Sequence, residues 1–290
     1  MNDKYRASYE EIIQDKEDFY TQGGGRESNS PASDYNKIAN MWHIFNEIQN
    51  GENFDDYIIA DNNKLERYLV PWSPPPAKVA ILGTGTGREV VMARSLGYDV
   101  IGTTFGKENP SFAKWKFDLD LAYVDNNTLP YADKSFDVVC AFQVFEHCWA
   151  PHFFLIECNR ILKEGGLLVL EWPPFVGGHT SSVTGMHTKN HDFMDVKSIN
   201  NLHHMCCWTP AQAHIITRKC NFEEPEVFIA SHTPLVSQEG RVCPEGYAYL
   251  NEDDPAFYSN VSTGNILLSA RRRPDSQMPD YVRRIHQIGV

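Results

Sequence analysis

The 290-residue sequence lacks an apolar run approaching the ~20 residues that a helix needs to cross a bilayer. Its polar N-terminus, MNDKYRASYEE, also lacks the pattern of a secretory signal. The cysteines are few, odd in number at seven, and without framework spacing, so a disulfide scaffold is excluded in favour of a reducing compartment. These absences predict a cytoplasmic protein with no membrane partner.

Positive charge is also scarce. Lysine and arginine total 26 against 38 acidic residues, which gives a formal net charge of −12. A phosphate backbone is repelled by such a chain, so nucleic acid is an unlikely partner. The one basic run, residues 271–273, lies near the C-terminus with Arg283 and Arg284 beyond it. A solvated tail explains these arginines more simply than an RNA-binding surface does.

The length favours one large α/β domain with additions over two equal domains. Residues 1–75 form a helical N-terminal cap, because an amphipathic helix over 34–49 and a third helix near 61–68 precede a proline-rich stop. Residues 76–272 form the α/β domain, and 273–290 a C-terminal tail. Segments 173–205 and 231–264 are long, polar insertions that predict lids or substrate walls. The sequence does not reveal the oligomeric state.

Strand and helix patterns alternate after residue 78. Strands are predicted at 79–82, 99–102, 121–124, 136–142, 166–172, 226–230 and 265–270, and helices at 87–96, 108–117, 150–162 and 209–220. Strands separated by helix-length segments indicate a parallel sheet with ligands at the carboxyl ends of its strands. We therefore predict a Rossmann-like, doubly wound, seven-stranded and mostly parallel sheet.

The first strand of this sheet ends in a glycine-rich turn. Apolar residues 79–82 lead into Gly83, Gly85 and Gly87, and an apolar periodic segment follows. Glycine allows positive φ and the close approach of a ligand, while the free N–H groups of the next helix face that ligand. The turn predicts a nucleotide-cofactor site.

Further motifs follow this turn in a defined order: VAILGTGTGRE, YVDNNTLPYADKSFDVV, FQVFEH, NRILKEGGLLVLEWPP and WTPAQAHIITRKCNFEEPEVF. Together they resemble the class I S-adenosylmethionine-dependent methyltransferases that act on small molecules. The resemblance implies S-adenosylmethionine as cofactor and methyl transfer to a small-molecule, sugar or peptide-like acceptor. It covers residues 78–172 well and 208–270 loosely.

The resemblance also implies individual roles. The turn would pass under the methionine and ribose part of the cofactor, Asp125 and Asn126 would contact the adenine, and Phe142 and Gln143 would line the methyl donor. Asp125 and Asn126 by themselves also fit an ordinary Asx turn. The implied cofactor-binding residues are Gly83, Thr84, Gly85, Gly87, Thr104, Asp125, Asn126, Phe142 and Gln143.

Two acids typical of that family are missing. Ile81 stands where the first strand carries an acid, and Thr104 stands where an acid binds both ribose hydroxyls. Losing one charge-assisted hydrogen bond costs ~1.5–3 kcal/mol. A non-catalytic binding or scaffold protein with the same fold is therefore the alternative. A nicotinamide-dependent oxidoreductase ranks third, because the glycine spacing is G-x-G-x-G and its ribose acid is also absent.

A general base is required where the acceptor carries a proton that it must lose. The candidates are Glu146 and His147 after the fourth strand, and His187 in the first insertion. The histidines at 187 and 191, and the run HHMCC at 203–207, could also supply metal ligands. Neither pattern has the spacing of a structural zinc site, so no metal is predicted. Trp172 and Trp208 could stack a flat acceptor or pack in the core.

Overall fold

A computed structural model describes residues 65–105, 109–124, 128–148, 150–173, 208–230, 242–258 and 265–288. Most of the predicted N-terminal cap and all of the first insertion after residue 173 lie outside these residues. Residues 65–68, at the end of the cap, are helical, and Leu65 and Leu69 are fully buried. None of the helices in these segments combines the length and apolar character that crossing a bilayer requires.

The elements alternate along the chain as the sequence pattern predicts. The strands are β1 (Lys78–Leu82), β2 (Asp99–Thr104), β3 (Ala122–Tyr123), β4 (Phe136–Phe142), β5 (Leu162–Trp172), β6 (Glu226–Ala230), β7 (Tyr247–Tyr249) and β8 (Ile266–Arg271). The α-helices are α1 (Arg88–Ser95), α2 (Asn109–Phe117), α3 (Pro151–Ile161), α4 (Pro210–Lys219) and α5 (Asp280–Ile288). A 3₁₀ turn, Phe145–His147, follows β4.

The strands form one sheet in the order β3-β2-β1-β4-β5-β8-β6-β7. Strands β1 to β5 pair in parallel, while β8, β6 and β7 join through antiparallel pairs. The Rossmann-like prediction is confirmed, but the described sheet has eight strands instead of seven. The additional strand, β7, lies within the predicted insertion 231–264. Three residues are too few for a detectable alternating pattern, and only pairing with β6 makes them a strand.

Both faces of the sheet are covered, as a doubly wound fold requires. One face packs against α3, α4 and α5, including the fully buried Phe154 and Val282. The other packs against α1, α2 and residues 65–69, including the buried Val90 and Met92. Because strands β1 to β5 are parallel, all of them end on the same side of the sheet, which we call the carboxyl edge.

One of the C-terminal arginines, Arg272, is not part of a solvated tail. Arg272 is buried, and its Nε donates to Oδ1 of Asn159 at 3.2 Å. Its guanidinium also forms an ion pair with Asp275. The segment that follows contains α5, which packs on α3. The tail interpretation is therefore wrong for Arg272, because a buried guanidinium needs hydrogen-bond partners that only the folded chain supplies.

Candidate functional site

The glycine turn lies at the carboxyl edge between β1 and α1. Gly83 and Gly85 both adopt positive φ, at 68° and 55°. A Cβ added to Gly83 would lie 2.5 Å from Cγ2 of Val144, so the turn is in contact with the segment after β4. A Cβ added to Gly85 would meet no atom within 4 Å among the residues that the structure describes. The turn is thus closely packed at Gly83 and open at Gly85, where a ligand can approach the backbone.

The end of β2 braces this turn. The backbone N–H of Gly83 donates to Oγ1 of Thr103 at 3.1 Å, and that of Thr84 donates to the Thr103 carbonyl at 2.8 Å. The next residue, Thr104, is buried, and its Oγ1 accepts a hydrogen bond from Nδ2 of Asn109 at 2.8 Å. The sequence analysis did not identify Asn109. Its signal was weak, because the first residue of a helix gives no indication that it faces the preceding strand.

Phe142 and Gln143 lie where β4 ends. Gln143 is not glycine, yet it adopts a φ of 56°, which costs ~1–2 kcal/mol for an L-residue. Its backbone N–H donates to the Glu171 carbonyl at 2.8 Å, and its Nε2 is buried without a hydrogen-bond partner in the described part of the chain. Strain together with a buried, unsatisfied donor is typical of a ligand-binding position.

Glu146 lies within the 3₁₀ turn, with 2% of its surface exposed. Neither carboxylate oxygen has a hydrogen-bond partner among the described residues, and Nε2 of the half-exposed His147 is 3.8 Å from Oε1. Burial raises the pKa of Glu146 to about 8; the nearby N–H of its own backbone opposes this rise, and the charge of Glu171 adds to it. A carboxyl group with this pKa holds its proton near neutrality and can exchange it with an acceptor.

We expect Glu146→Gln to be more stable than the wild type at pH 8 and equally stable at pH 5. The folded protein holds the Glu146 proton up to about pH 8, whereas the unfolded chain releases it near 4.5. Wild-type stability therefore falls as pH rises between these values, by an amount on the order of a few kcal/mol. Urea unfolding at both pH values measures the difference. An equal free energy of unfolding at pH 8 contradicts the raised pKa.

A second buried carboxyl group lies beside Phe142 on the neighbouring strand. Glu171 pairs with Phe142 in the sheet register and is 1% exposed. Its Oε1 accepts hydrogen bonds from the hydroxyl of Tyr247 at 2.8 Å and from Nδ2 of Asn265 at 3.2 Å. The hydroxyl of Tyr247 also lies 3.2 Å from that of Tyr68. Sequence reasoning missed this group, since its members are separated by up to 197 positions and only the tertiary fold brings them together.

The two tryptophans belong to the core and not to an acceptor wall. Trp172 is fully buried, and its Nε1 donates to the Trp208 carbonyl at 3.2 Å. Trp208 stacks on Phe145 with 4.8 Å between the ring centroids. The predicted residues Asp125, Asn126 and His187 lie outside the described residues. The structure therefore brings together Gly83, Thr84, Gly85, Gly87, Thr104, Phe142, Gln143, Glu146 and His147 at the carboxyl edge.

The amino-acid sequence matches a family of known domains over part of its length. Residues 81–170 match the family model described as a methyltransferase domain. The chain is 29% identical over 111 residues to a protein of Mycolicibacterium smegmatis described as a probable S-adenosylmethionine-dependent methyltransferase, covering 37% of this chain and 43% of the relative. It is 34% identical over 124 residues to a ubiquinone biosynthesis O-methyltransferase of Roseobacter denitrificans, covering 39% and 49%. The chain thus spans less than half the length of either relative.

A solved structure shares the architecture. A SAM-dependent methyltransferase from Archaeoglobus fulgidus superposes with a TM-score of 0.50 at 17% sequence identity. The match covers 74% of this chain and 94% of that chain. At such low identity the likeness establishes the fold alone.

Proposed function

We propose, on the premise that residues 81–170 form a class I S-adenosylmethionine-dependent methyltransferase domain, that this protein transfers a methyl group to a hydroxyl group of a small molecule. The observation that carries the proposal is Glu146, a buried carboxyl group with a pKa of about 8 beside the end of β4. The similarity to the ubiquinone biosynthesis O-methyltransferase supports a hydroxyl acceptor.

The carboxyl edge fits S-adenosylmethionine. The open space at Gly85 leaves room for a ligand over the turn, and the buried Nε2 of Gln143 has no hydrogen-bond acceptor among the described residues. Thr104, together with Asn109, would replace the missing ribose acid with neutral hydrogen-bonding groups. Phe142 and Gln143 would line the methyl end. When bound, the cofactor supplies a methyl group already activated as a sulfonium, so positioning and desolvation provide much of the catalysis.

Glu146 would act as the general base. Its ionised form accepts the proton that the acceptor hydroxyl loses as the oxygen takes up the methyl group. A pKa of about 8, close to the pH of the reaction, makes this carboxylate a stronger base than an ordinary glutamate. The Glu171 group would hold the other side of the acceptor, because Glu171 and Phe142 occupy paired positions of adjacent strands. His147 is half-exposed and lies 3.8 Å from Glu146, so it would orient the 3₁₀ turn that carries Glu146.

Calorimetric titration with S-adenosylhomocysteine, S-adenosylmethionine and NAD tests the cofactor. We expect micromolar binding of the first two and no heat with NAD, since the downstream residues fit a methyl donor and not a dinucleotide. NAD binding would favour the oxidoreductase hypothesis. If none of the three ligands binds detectably to protein whose fold is verified by circular dichroism, the enzyme proposal is contradicted.

The second candidate is a binding protein that retains the fold without the reaction. Ile81 favours it, because this residue is buried in the core and offers no carboxylate to a cofactor. Thr104 favours it also, being neutral and already bonded to Asn109. The raised pKa of Glu146 argues against it, because a scaffold gains nothing from burying an acid without hydrogen bonds. A cytoplasmic location and the exclusion of nucleic acid stay predictions from composition.

A further inference from the structure

Three metal-ligating side chains converge at the edge of the sheet opposite the carboxyl edge. His214 lies on α4, Glu224 precedes β6, and Glu252 follows β7. Nε2 of His214 is 2.9 Å from Oε1 of Glu224 and 3.7 Å from Oε1 of Glu252. The three ligand atoms all lie within 4.8 Å of one another. Among the described residues, this is the only such group of three.

The sheet topology explains why these three side chains lie close together. Strand β6 runs parallel to β5, because each is antiparallel to β8. The start of β6 therefore lies at the amino ends of the parallel strands. Strand β7 is antiparallel to β6, so it ends there as well, where the N–H of Leu250 donates to the Val227 carbonyl. The cluster and the glycine turn are at opposite edges of the sheet.

The two carboxylates of this group differ in their ion-pair partners. His214 is 4% exposed, and burial lowers its pKa although both carboxylates oppose that change. A neutral imidazole is the form that binds metals. Nε of Arg218 holds Oε2 of Glu224 at 3.0 Å, which leaves Oε1 directed at His214. The Glu252 carboxylate has no ion-pair partner other than His214 within the described segments.

We propose that Nε2 of His214, Oε1 of Glu224 and Oε1 of Glu252 bind a zinc-class divalent cation. With bonds of ~2.0–2.1 Å, tetrahedral ligands lie about 3.3 Å apart, between the two separations that involve His214. The exposed side chain of Glu252 supplies the remaining adjustment. An imidazole ligand selects zinc over magnesium and calcium, and three protein ligands leave a fourth position for water.

The cation would connect three segments that the backbone leaves separate. The 3₁₀ turn Pro255–Tyr258 packs on α4, where Phe257 contacts the His214 ring edge-to-face at 5.6 Å. A metal held by His214, Glu224 and Glu252 would tie the segment before this turn and the entry of β6 to the helix. The site lies across the sheet from the residues proposed to act on the methyl acceptor, so the cation would take no part in methyl transfer.

Isothermal titration of the metal-free full chain with zinc chloride at pH 7.5 tests the proposal. Glu252→Gln is the main variant, because its exposed side chain makes misfolding improbable, and His214→Gln is the second. Glu223→Gln, an exposed glutamate beside Glu224, is the matched control. We expect one zinc ion per chain, affinity lowered by about tenfold or more in both site variants, and affinity within about twofold in the control.

Thermal unfolding gives a second readout. Zinc should raise Tm of the wild type and of Glu223→Gln but not of Glu252→Gln, since only a cation bound to the folded state stabilises it. Zinc affinity unchanged in Glu252→Gln and His214→Gln would place the cation elsewhere in the chain and overturn the proposal. Magnesium chloride binding as tightly as zinc would overturn the assignment to a zinc-class ion.

Discussion

Replacing Gly83 by alanine should lower the free energy of unfolding by about 2–5 kcal/mol, whereas Gly85→Ala should cost only about 1 kcal/mol. Both positions have positive φ, so both variants carry the strain of an L-residue there. Only the Gly83 side chain would overlap a neighbour, because its Cβ would lie 2.5 Å from Cγ2 of the buried Val144. The difference between the two variants isolates this overlap.

The same pair of variants should separate stability from binding. Gly85→Ala places a methyl group in the open space over the turn, so its affinity for S-adenosylhomocysteine should fall by about tenfold or more, equivalent to ~1.4 kcal/mol. Gly165→Ala is the matched control, with a φ of 72° and no atom of the described segments within 4 Å of its added Cβ. It lies near the start of β5, away from the carboxyl edge, and should keep wild-type affinity.

Urea unfolding and calorimetry on the three variants give both quantities. If Gly85→Ala binds S-adenosylhomocysteine as tightly as Gly165→Ala does, the cofactor does not lie over this turn. If Gly83→Ala is no less stable than Gly85→Ala, Val144 can move aside at little cost. These two results concern different claims and can be read independently.

Glu146→Gln should lower the rate of methyl transfer to a hydroxyl acceptor by about 100-fold or more, because the amide cannot accept the proton. In the wild type, kcat/KM should rise with pH up to about 8 as the carboxyl group ionises, and this rise should be absent from the variant. The rate of S-adenosylhomocysteine formation with simple phenols, catechols and alcohols measures both effects. The affinity for S-adenosylhomocysteine should change little.

Two further variants identify the titrating group. Glu171→Gln removes a nearby negative charge that raises the pKa of Glu146, so the rise in kcat/KM should move to lower pH. His147→Asn should leave the pH profile in place, since this histidine does not hydrogen-bond to the carboxyl group at 3.8 Å. A profile lost in His147→Asn and kept in Glu146→Gln would assign the proton transfer to the histidine.

Much of the fold could be predicted from local sequence patterns. The strand, glycine turn and helix from Lys78 to Ser95 have the predicted order, because apolar periodicity and glycine positions report on neighbouring residues. The observed boundaries differ from the predicted ones where tertiary contacts extend an element. Strand β5, for example, begins at Leu162 and not at residue 166. Strand β7 escaped prediction because its three residues depend on a partner strand for their conformation.

The candidate site also combines features that the sequence could predict with features that it could not. Residues next to a strand end, such as Gly83 and Gln143, could be located from the sequence because the carboxyl ends of parallel strands meet at one edge. The backbone strain, burial and hydrogen bonding of the residues at the site could not be predicted. That Gln143 is strained and Glu146 is buried without hydrogen bonds depends on how the segment after β4 packs against β1 and β5.

The sequence by itself determined the order of the elements, since that order depends on patterns within the chain, and its resemblance to methyltransferases predicted a methyl donor at the glycine turn. The tertiary structure alone decided which distant polar groups share a site. Glu171 meets Tyr247 and Asn265, and His214 meets Glu224 and Glu252, because three antiparallel strands follow β5 in the sheet. Sheet order is set by packing between segments far apart in the chain, and no local periodicity encodes it.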